Sequence, residues 1–296
     1  MNAVVCSFVR RSLLGAVLVF GAASAAGAAE DGDVFADPSR IASIGGSLTE
    51  IVYALGQQEH LVARDSTSLY PQEALKLPDV GYMRQLSPEG VLSVNPSGIL
   101  ALQGSGPKEA VEVLKKASVP YVEVPETFDH EGILAKIRAV GKAFGVDDKA
   151  AALATEVDAK LKAAEQLTAA VKQRKRVLFI LSMQGGKILA SGGDTAADGI
   201  VKLAGGVNAI EGFTGYKQLS DEAAVTAAPD VILMMNHGIA ATDDELFGNA
   251  AISQTPAGVA RKVIRMDGGY LLGFGPRTAD AIHDLAVALY GADLGQ

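Results

Sequence analysis

One stretch of this chain puts a phenol and a guanidinium two residues apart, Val80-Gly-Tyr-Met-Arg-Gln-Leu-Ser-Pro-Glu-Gly90. In an extended run Tyr82 and Arg84 lie on the same face, because side chains alternate with period two. A free phenol titrates at about pH 10, and a guanidinium beside it favours the charged form. A phenolate supported in this way is a hard, anionic oxygen donor of the kind ferric iron prefers. The same pair also fits a loop tyrosine packed on the surface beside a solvated arginine. The two residues alone leave both readings open.

Little else in the sequence could do covalent chemistry. There is no G-x-S-x-G elbow, no H-E-x-x-H pair and no Walker loop. Gly273-Phe-Gly275 lacks a third glycine and lies far from any opening βαβ unit, so it is a poor dinucleotide fingerprint. The four histidines, His60, His130, His237 and His283, are scattered singly, without metal-ligand spacing. His237 follows the apolar run Val231 to Met235, so it would sit at a strand's C-terminal end, where α/β sheets hold ligands. It fits a solvated loop equally well. No residue is expected to be catalytic, and a binding protein rather than an enzyme is the expectation.

The N-terminus reads as an export signal. Arg10 and Arg11 precede an apolar run, Leu13 to Ala23, too short to span a bilayer, and small residues follow up to Ala29. The expected division is a signal peptide over residues 1–29 and a periplasmic remainder. The only cysteine, Cys6, falls in the signal, so the mature chain would have no disulfide, thiolate nucleophile or thiolate metal site. Losing the two arginines takes the formal charge from −8 to −10. An acidic chain without basic clusters argues against nucleic acid and anionic membrane as partners. About 265 residues with 49% hydrophobic content can bury well-packed cores.

The elements that must position Tyr82 and Arg84 alternate. Strands are expected at 40–44, 60–64, 98–102 and 121–124, with helices at 48–55, 87–94 and 107–117 between them. This spacing implies βα units around a mostly parallel sheet. Ser47 with Glu50 three residues on suggests a capping box. From 129 to 172 the composition is almost purely helical, broken at Gly145-Val146-Asp147. The part from 148 to 174 is rich in Ala, Lys, Glu and Leu, strong helix formers. Such a helix would reach about 40 Å, long enough to join two lobes. Alternation then restarts, with strands at 176–181, 231–235 and 263–266. An internal echo supports two similar lobes: Ser87, Glu89, Pro96, Ile99 and Leu100 recur at a constant offset as Ser220, Glu222, Pro229, Ile232 and Leu233. Each copy reads as a serine N-cap, a first-turn glutamate, a proline after the helix and a buried strand.

The tyrosine segment, together with Asp65-Ser-Thr-Ser-Leu-Tyr-Pro71, Thr195-Ala-Ala-Asp198, Leu203-Ala-Gly-Gly-Val-Asn208, Gly212-Phe-Thr-Gly-Tyr216 and Leu271-Leu-Gly-Phe-Gly-Pro-Arg277, resembles the periplasmic haem-binding proteins of bacterial ABC importers. These share their fold with cobalamin and siderophore carriers, and the resemblance covers the whole mature chain. It implies an α/β fold of two Rossmann-like lobes joined by one long helix, the class III periplasmic binding protein architecture. The lobes would be residues 30–145 and 176–296, joined by a helix over 146–175. By this resemblance Tyr82 is the axial ligand of ferric haem carried as cargo, and Arg84 supports it. Some relatives place a histidine after the first strand of the second lobe; here that stretch reads Leu181-Ser-Met-Gln-Gly-Gly186. Met183 would then be an apolar wall or a soft sixth ligand, which phenolate-bound ferric iron gains little from. His237 would face the distal side, Tyr82 or a propionate. Arg277 would pair with a propionate or stay structural. Glu89 and Glu222, one per lobe, would meet arginines of an inner-membrane permease. Haem and that permease are the expected partners of a monomer that does not insert into the membrane. The alternative cargo is cobalamin or a ferric siderophore, although a siderophore site would gather several basic residues.

Overall fold

The computed structural model describes residues 33–236, 241–291 and 294. The expected signal peptide and His237 lie outside them. The first half alternates β1 (Ile41–Ile44), α1 (Gly46–Ala54), β2 (Leu61–Arg64), α2 (Pro88–Leu92), β3 (Gly98–Leu102), α3 (Lys108–Lys116), β4 (Tyr121–Val124) and α4 (His130–Ala143). Its four strands pair in the order β2-β1-β3-β4, every pair parallel. A parallel sheet covered on both faces needs apolar residues at every position, not at alternate ones. β1 and β3 are buried along their whole length, which explains why only Ser43 interrupts their small and aliphatic residues.

Helix α5 (Asp147–Gln166) packs against α4 on one side and against α11 (Thr278–Tyr290) on the other. Ala150, Ala154, Val157, Leu161 and Ala164 form its buried stripe, stepping by four and three as a helix requires. The helix is shorter than its composition predicts, about 30 Å at 1.5 Å per residue. Helix-forming residues continue past Gln166, but Thr168 is drawn into the interior and the chain turns there. Tertiary burial overrides propensity at this point.

The second half contains β5 (Arg176–Gln184), β6 (Lys187–Ser191), α6 (Ala196–Leu203), β7 (Val207–Asn208), β8 (Tyr216–Leu219), α7 (Asp221–Ala227), β9 (Val231–Met235), α8 (Asp243–Gly248), α9 (Pro256–Val259), β10 (Val263–Met266), α10 (Gly268–Leu272) and α11. Its sheet runs β10-β9-β5-β6-β8, with β7 pairing the start of β5. Most of its pairs are parallel, as expected, but β6 is antiparallel to both β5 and β8, so this sheet is mixed. Gly185 and Gly186, both at positive φ, make the two-residue hairpin that reverses the chain.

One apolar core continues from the first half into the second. Ile41, Ile99, Ile133 and Ile137 share a cluster with Val177, Phe179, Leu233, Phe274 and Ile282. A separate cluster on the far face of the second sheet holds Leu178, Ile180, Met183, Ile188, Ile232 and Met234. No helix among the described residues is long and apolar enough to cross a membrane.

Candidate functional site

The loop between β2 and α2 leaves the C-terminal ends of the first sheet's parallel strands, the end at which such sheets hold ligands. Its shape is fixed by one buried carboxylate. Asp65 Oδ1 accepts from the Gly45 amide at 3.0 Å and Ser68 Oγ at 2.7 Å; Oδ2 accepts from Thr67 N at 3.0 Å and Thr67 Oγ1 at 2.7 Å. The loop then returns beside β2. Arg64 pairs with Asp79 at 3.1 Å, and the Val80 amide donates to Arg64 O at 2.9 Å. Gly81, at φ 101°, turns the chain in a conformation that residues with a Cβ rarely adopt.

Beyond Gly81 the chain turns again, Gln85 N donating to Tyr82 O at 2.8 Å. Met83 and Leu86 are buried, and Tyr82 and Arg84 are exposed. Two backbone bonds fasten it to the loop after β3, Gly106 N to Met83 O at 2.9 Å and Leu86 N to Gly106 O at 2.7 Å. Arg84 Nη1 donates to the Tyr82 hydroxyl at 3.3 Å. The phenol and the guanidinium meet, but across this tight turn rather than along the extended run the spacing suggested. The tyrosine is 39% exposed, with a cationic donor on its hydroxyl.

Behind this pair lies a set of buried charges that the motif reading missed. Lys136, on α4, is 1% exposed. Its ammonium pairs with Glu126 and donates to Ser47 Oγ at 3.3 Å and to the Phe274 carbonyl at 3.1 Å. All three of its protons thus have acceptors, one of them in the second half. Burial pushes the Lys136 ammonium below the ordinary lysine range, with Glu126 and Glu50 opposing. Burial likewise pushes the Glu126 carboxyl above the ordinary carboxylate range, opposed by Lys136 and by the Arg84 charge. Arg84 acts on Tyr216 as well: burial raises that phenol, while Thr195 and the Arg84 charge pull it down. Arg84 is therefore within electrostatic reach of Tyr82, Glu126 and Tyr216.

Arg277 is built into the junction between the halves. Glu50 accepts from Arg277 N at 3.0 Å and from Arg277 Nε at 2.9 Å. Gly275 leaves the room, since a Cβ there would come to 3.3 Å from Glu50 Oε1. The guanidinium stacks on the Tyr70 ring at 3.6 Å. Glu50 is therefore not a capping-box residue. The N-cap of α1 is Gly45, without a side-chain cap, and Glu50 bonds across the junction instead. Burial raises its carboxyl, against the pull of Arg277.

The remaining candidates lie apart. Met183 is on β5, 8% exposed, packed into the far cluster of the second half. Glu89 and Glu222 are both exposed, in the first turns of α2 and α7. Ser87 and Ser220 cap those helices, accepting from Gly90 N at 3.3 Å and Ala223 N at 3.2 Å. Among the described residues no group of three or more His, Cys, Asp or Glu could hold a metal ion.

The sequence matches the family model described as periplasmic binding protein over residues 41–270. Among solved structures, the periplasmic heme-binding protein BhuT, in complex with two hemes, is 40% identical with a TM-score of 0.81, covering 84% of this chain and 97% of that one. An uncharacterized ABC transporter substrate-binding lipoprotein of Bacillus subtilis, YvrC, is 27% identical over 88% of this chain and 83% of its own. A vitamin B12-binding protein of Vibrio parahaemolyticus is 25% identical over 82% of this chain and 86% of its own.

Proposed function

This chain belongs to the periplasmic binding protein family, a family of substrate-binding transport proteins rather than enzymes, and from that premise we propose that it captures ferric haem between its two lobes and delivers it to an inner-membrane ABC importer. The observation that carries the reading is the Tyr82–Arg84 contact at 3.3 Å, an accessible phenol with a guanidinium on its oxygen. Tyr82 is the axial iron ligand. Arg84 stabilises the phenolate that binding requires. The 40% identity to a protein that binds haem supports this choice of cargo.

Met183 is an apolar side chain of the second lobe's core, and Arg277, held by Glu50 and Tyr70, ties the lobes together. The lobes are residues 30–145 and 176–296, and the apolar core running between them limits their motion to small adjustments. Release then depends on docking to the permease, through Glu89 on one lobe and Glu222 on the other. Export through a cleaved signal peptide puts the protein where such an importer collects its cargo.

The test is a titration of the purified mature protein with hemin, followed by its visible spectrum. Wild type should give a high-spin ferric spectrum with a tyrosinate charge-transfer band, and Tyr82→Ala should lose the band and most of the affinity. Unchanged binding in Tyr82→Ala, or preference for cobalamin over hemin in direct competition, overturns the assignment.

A further inference from the structure

A groove opens beside Glu222 on the second half. One wall is α7, with Asp221, Glu222 and Val225, and the other is the turn after α8, with Ala250, Ala251 and Gln254. Its volume, about 320 Å³, lies at the low end of the range for small-molecule sites, about 300–1,000 Å³. Local chemistry holds it open. Asn249 ends α8, and its Oδ1 accepts from the Ala251 and Ile252 amides at 3.0 and 3.1 Å, while the Ile252 side chain is fully buried and anchors the turn. Gln254 Nε2 donates to Ala250 O at 2.7 Å and so is tied to the turn itself. With two consecutive alanines on this wall, their side chains are too short to fill the space.

The rim carries one sign of charge. Asp221 and Glu222 are exposed, and neither carboxylate has a hydrogen-bond or ion-pair partner among the described residues. No basic residue lines the groove among the described residues. The internal echo differs at this point: α7 opens with Asp221-Glu222 where α2 opens with Pro88-Glu89, so the acid is doubled only in the second half. Helix-dipole stabilisation accounts for an acid in each first turn, but not for an apolar groove beside one of them. We propose that this groove is a socket for one long basic side chain, an arginine or lysine, of the permease. The aliphatic stem lies on Val225, Ala250 and Ala251, and the cationic head reaches Asp221 and Glu222 at the rim. Basic side chains divide in this way, with the stem along apolar surface and the head in water. An exposed ion pair alone adds little, because water screens it and two long side chains lose freedom. Seating the stem adds apolar burial and holds the head in place. The inference rests on the reading of Glu222 as a docking point, and adds the class of side chain that docks and the residues that receive it.

The test is co-sedimentation of purified mature protein with right-side-out membrane vesicles of the native host. A melt checks that each variant is folded at the assay temperature, and a hemin titration checks that its ligand affinity is unchanged. Ala250→Trp fills the groove and leaves both carboxylates in place, and should weaken vesicle binding about tenfold. Val225→Ala hollows the floor without adding bulk, and should weaken it about threefold. Asp221→Asn should cost about threefold at low salt and less as salt rises, because exposed charges are screened. Ala250→Ser keeps the space and should bind as wild type. Wild-type binding by Ala250→Trp overturns the inference. So does a loss in Ala250→Trp with none in Val225→Ala, the mark of bulk added to a flat contact. A dimer of the purified protein that Ala250→Trp splits makes the occupant a second copy and overturns it too. If Glu222→Ala leaves vesicle binding unchanged, it is the docking reading that has failed instead.

Discussion

The two halves of this molecule resemble each other on the outside and differ at the edge that faces the partner half. Each carries a short serine-capped helix with an exposed glutamate in its first turn, followed by a proline and a buried parallel strand. At the inner edge the first half offers an accessible phenol and guanidinium on a loop held by Asp65. At the corresponding place in the second half, the described residues run from the first strand through a glycine hairpin into an antiparallel strand, and Met183 there packs into the core. Repeated features thus serve what both halves must do alike, and the unrepeated feature serves what only one must do. Between them lies a junction made of charges from both, Glu50 with Arg277 and Lys136 with the Phe274 carbonyl.

The largest effect is expected at that junction. Arg277→Met removes the guanidinium from Glu50, an 8% exposed residue left with the Arg277 backbone amide and the more distant Lys136 charge. Breaking a buried pair from one side costs about 3–5 kcal/mol. A fall in denaturation midpoint of that size, without a change in the dependence on denaturant, is the expected result. A loss under about 1 kcal/mol, the range of a surface pair, would mean that the halves are held by their apolar core alone. The double change Glu50→Gln/Arg277→Met should recover much of the loss, because it leaves no charge unpaired.

How much of this was legible in the sequence divides along the same line. The Tyr82–Arg84 contact was readable because it is local, although a tight turn, not the expected extended run, brings the two side chains together. Both halves of the echo were readable because caps and first-turn acids are local too. The junction was not, since Glu50 and Arg277 lie far apart in sequence and nothing local pairs them. A signal was nevertheless present at Lys136. It falls in the apolar stripe Ile133, Ile137 and Val140 of α4, where a charge breaks the helical pattern. A lysine there must find a buried partner. Glu50 was misread for the opposite reason, a sound local explanation in the capping box, which a distant arginine overrode. In the second sheet, Gly185-Gly186 signalled the hairpin, but the strand after it is short.

An intermediate effect is expected from the matched glutamates. If Glu89 and Glu222 each meet a permease cation, changing either to Ala should weaken docking by about tenfold, or 1.4 kcal/mol, and changing both should abolish uptake. Neither change should alter ligand affinity, because both residues lie on exposed helix starts. Uptake by the native host, compared with a binding titration on the purified variants, separates the two effects. Unequal losses from the two single changes would break the symmetry of the comparison, and lost ligand binding would mean that the glutamates had been misread.

The smallest effect distinguishes how each half is fastened to α5. The second half meets it through α11. The first half adds a titratable tie: His130 Nδ1 lies 2.8 Å from Glu165 Oε1, and Nε2 lies 2.8 Å from Asp158 Oδ1. Both ring nitrogens face carboxylates, so both bonds form only when the ring carries two protons. Burial alone would lower its pKa, but hydrogen bonds to Asp158 and Glu165 outweigh it and raise it above the ordinary histidine value. A group whose folded pKa is raised adds stability that is fully present below the unfolded value, about 6.5, and lost as pH rises through the folded value. His130→Gln should therefore lower the melting temperature most on the acid side. The gap from wild type should narrow as pH climbs through the raised pKa. The size is small, under about 1 kcal/mol, because Asp158 also serves Lys162 and the site is open to water. Melting curves across this range decide it. A gap that does not change with pH would mean that His130 holds the first half to α5 by packing and neutral hydrogen bonds rather than by its charge.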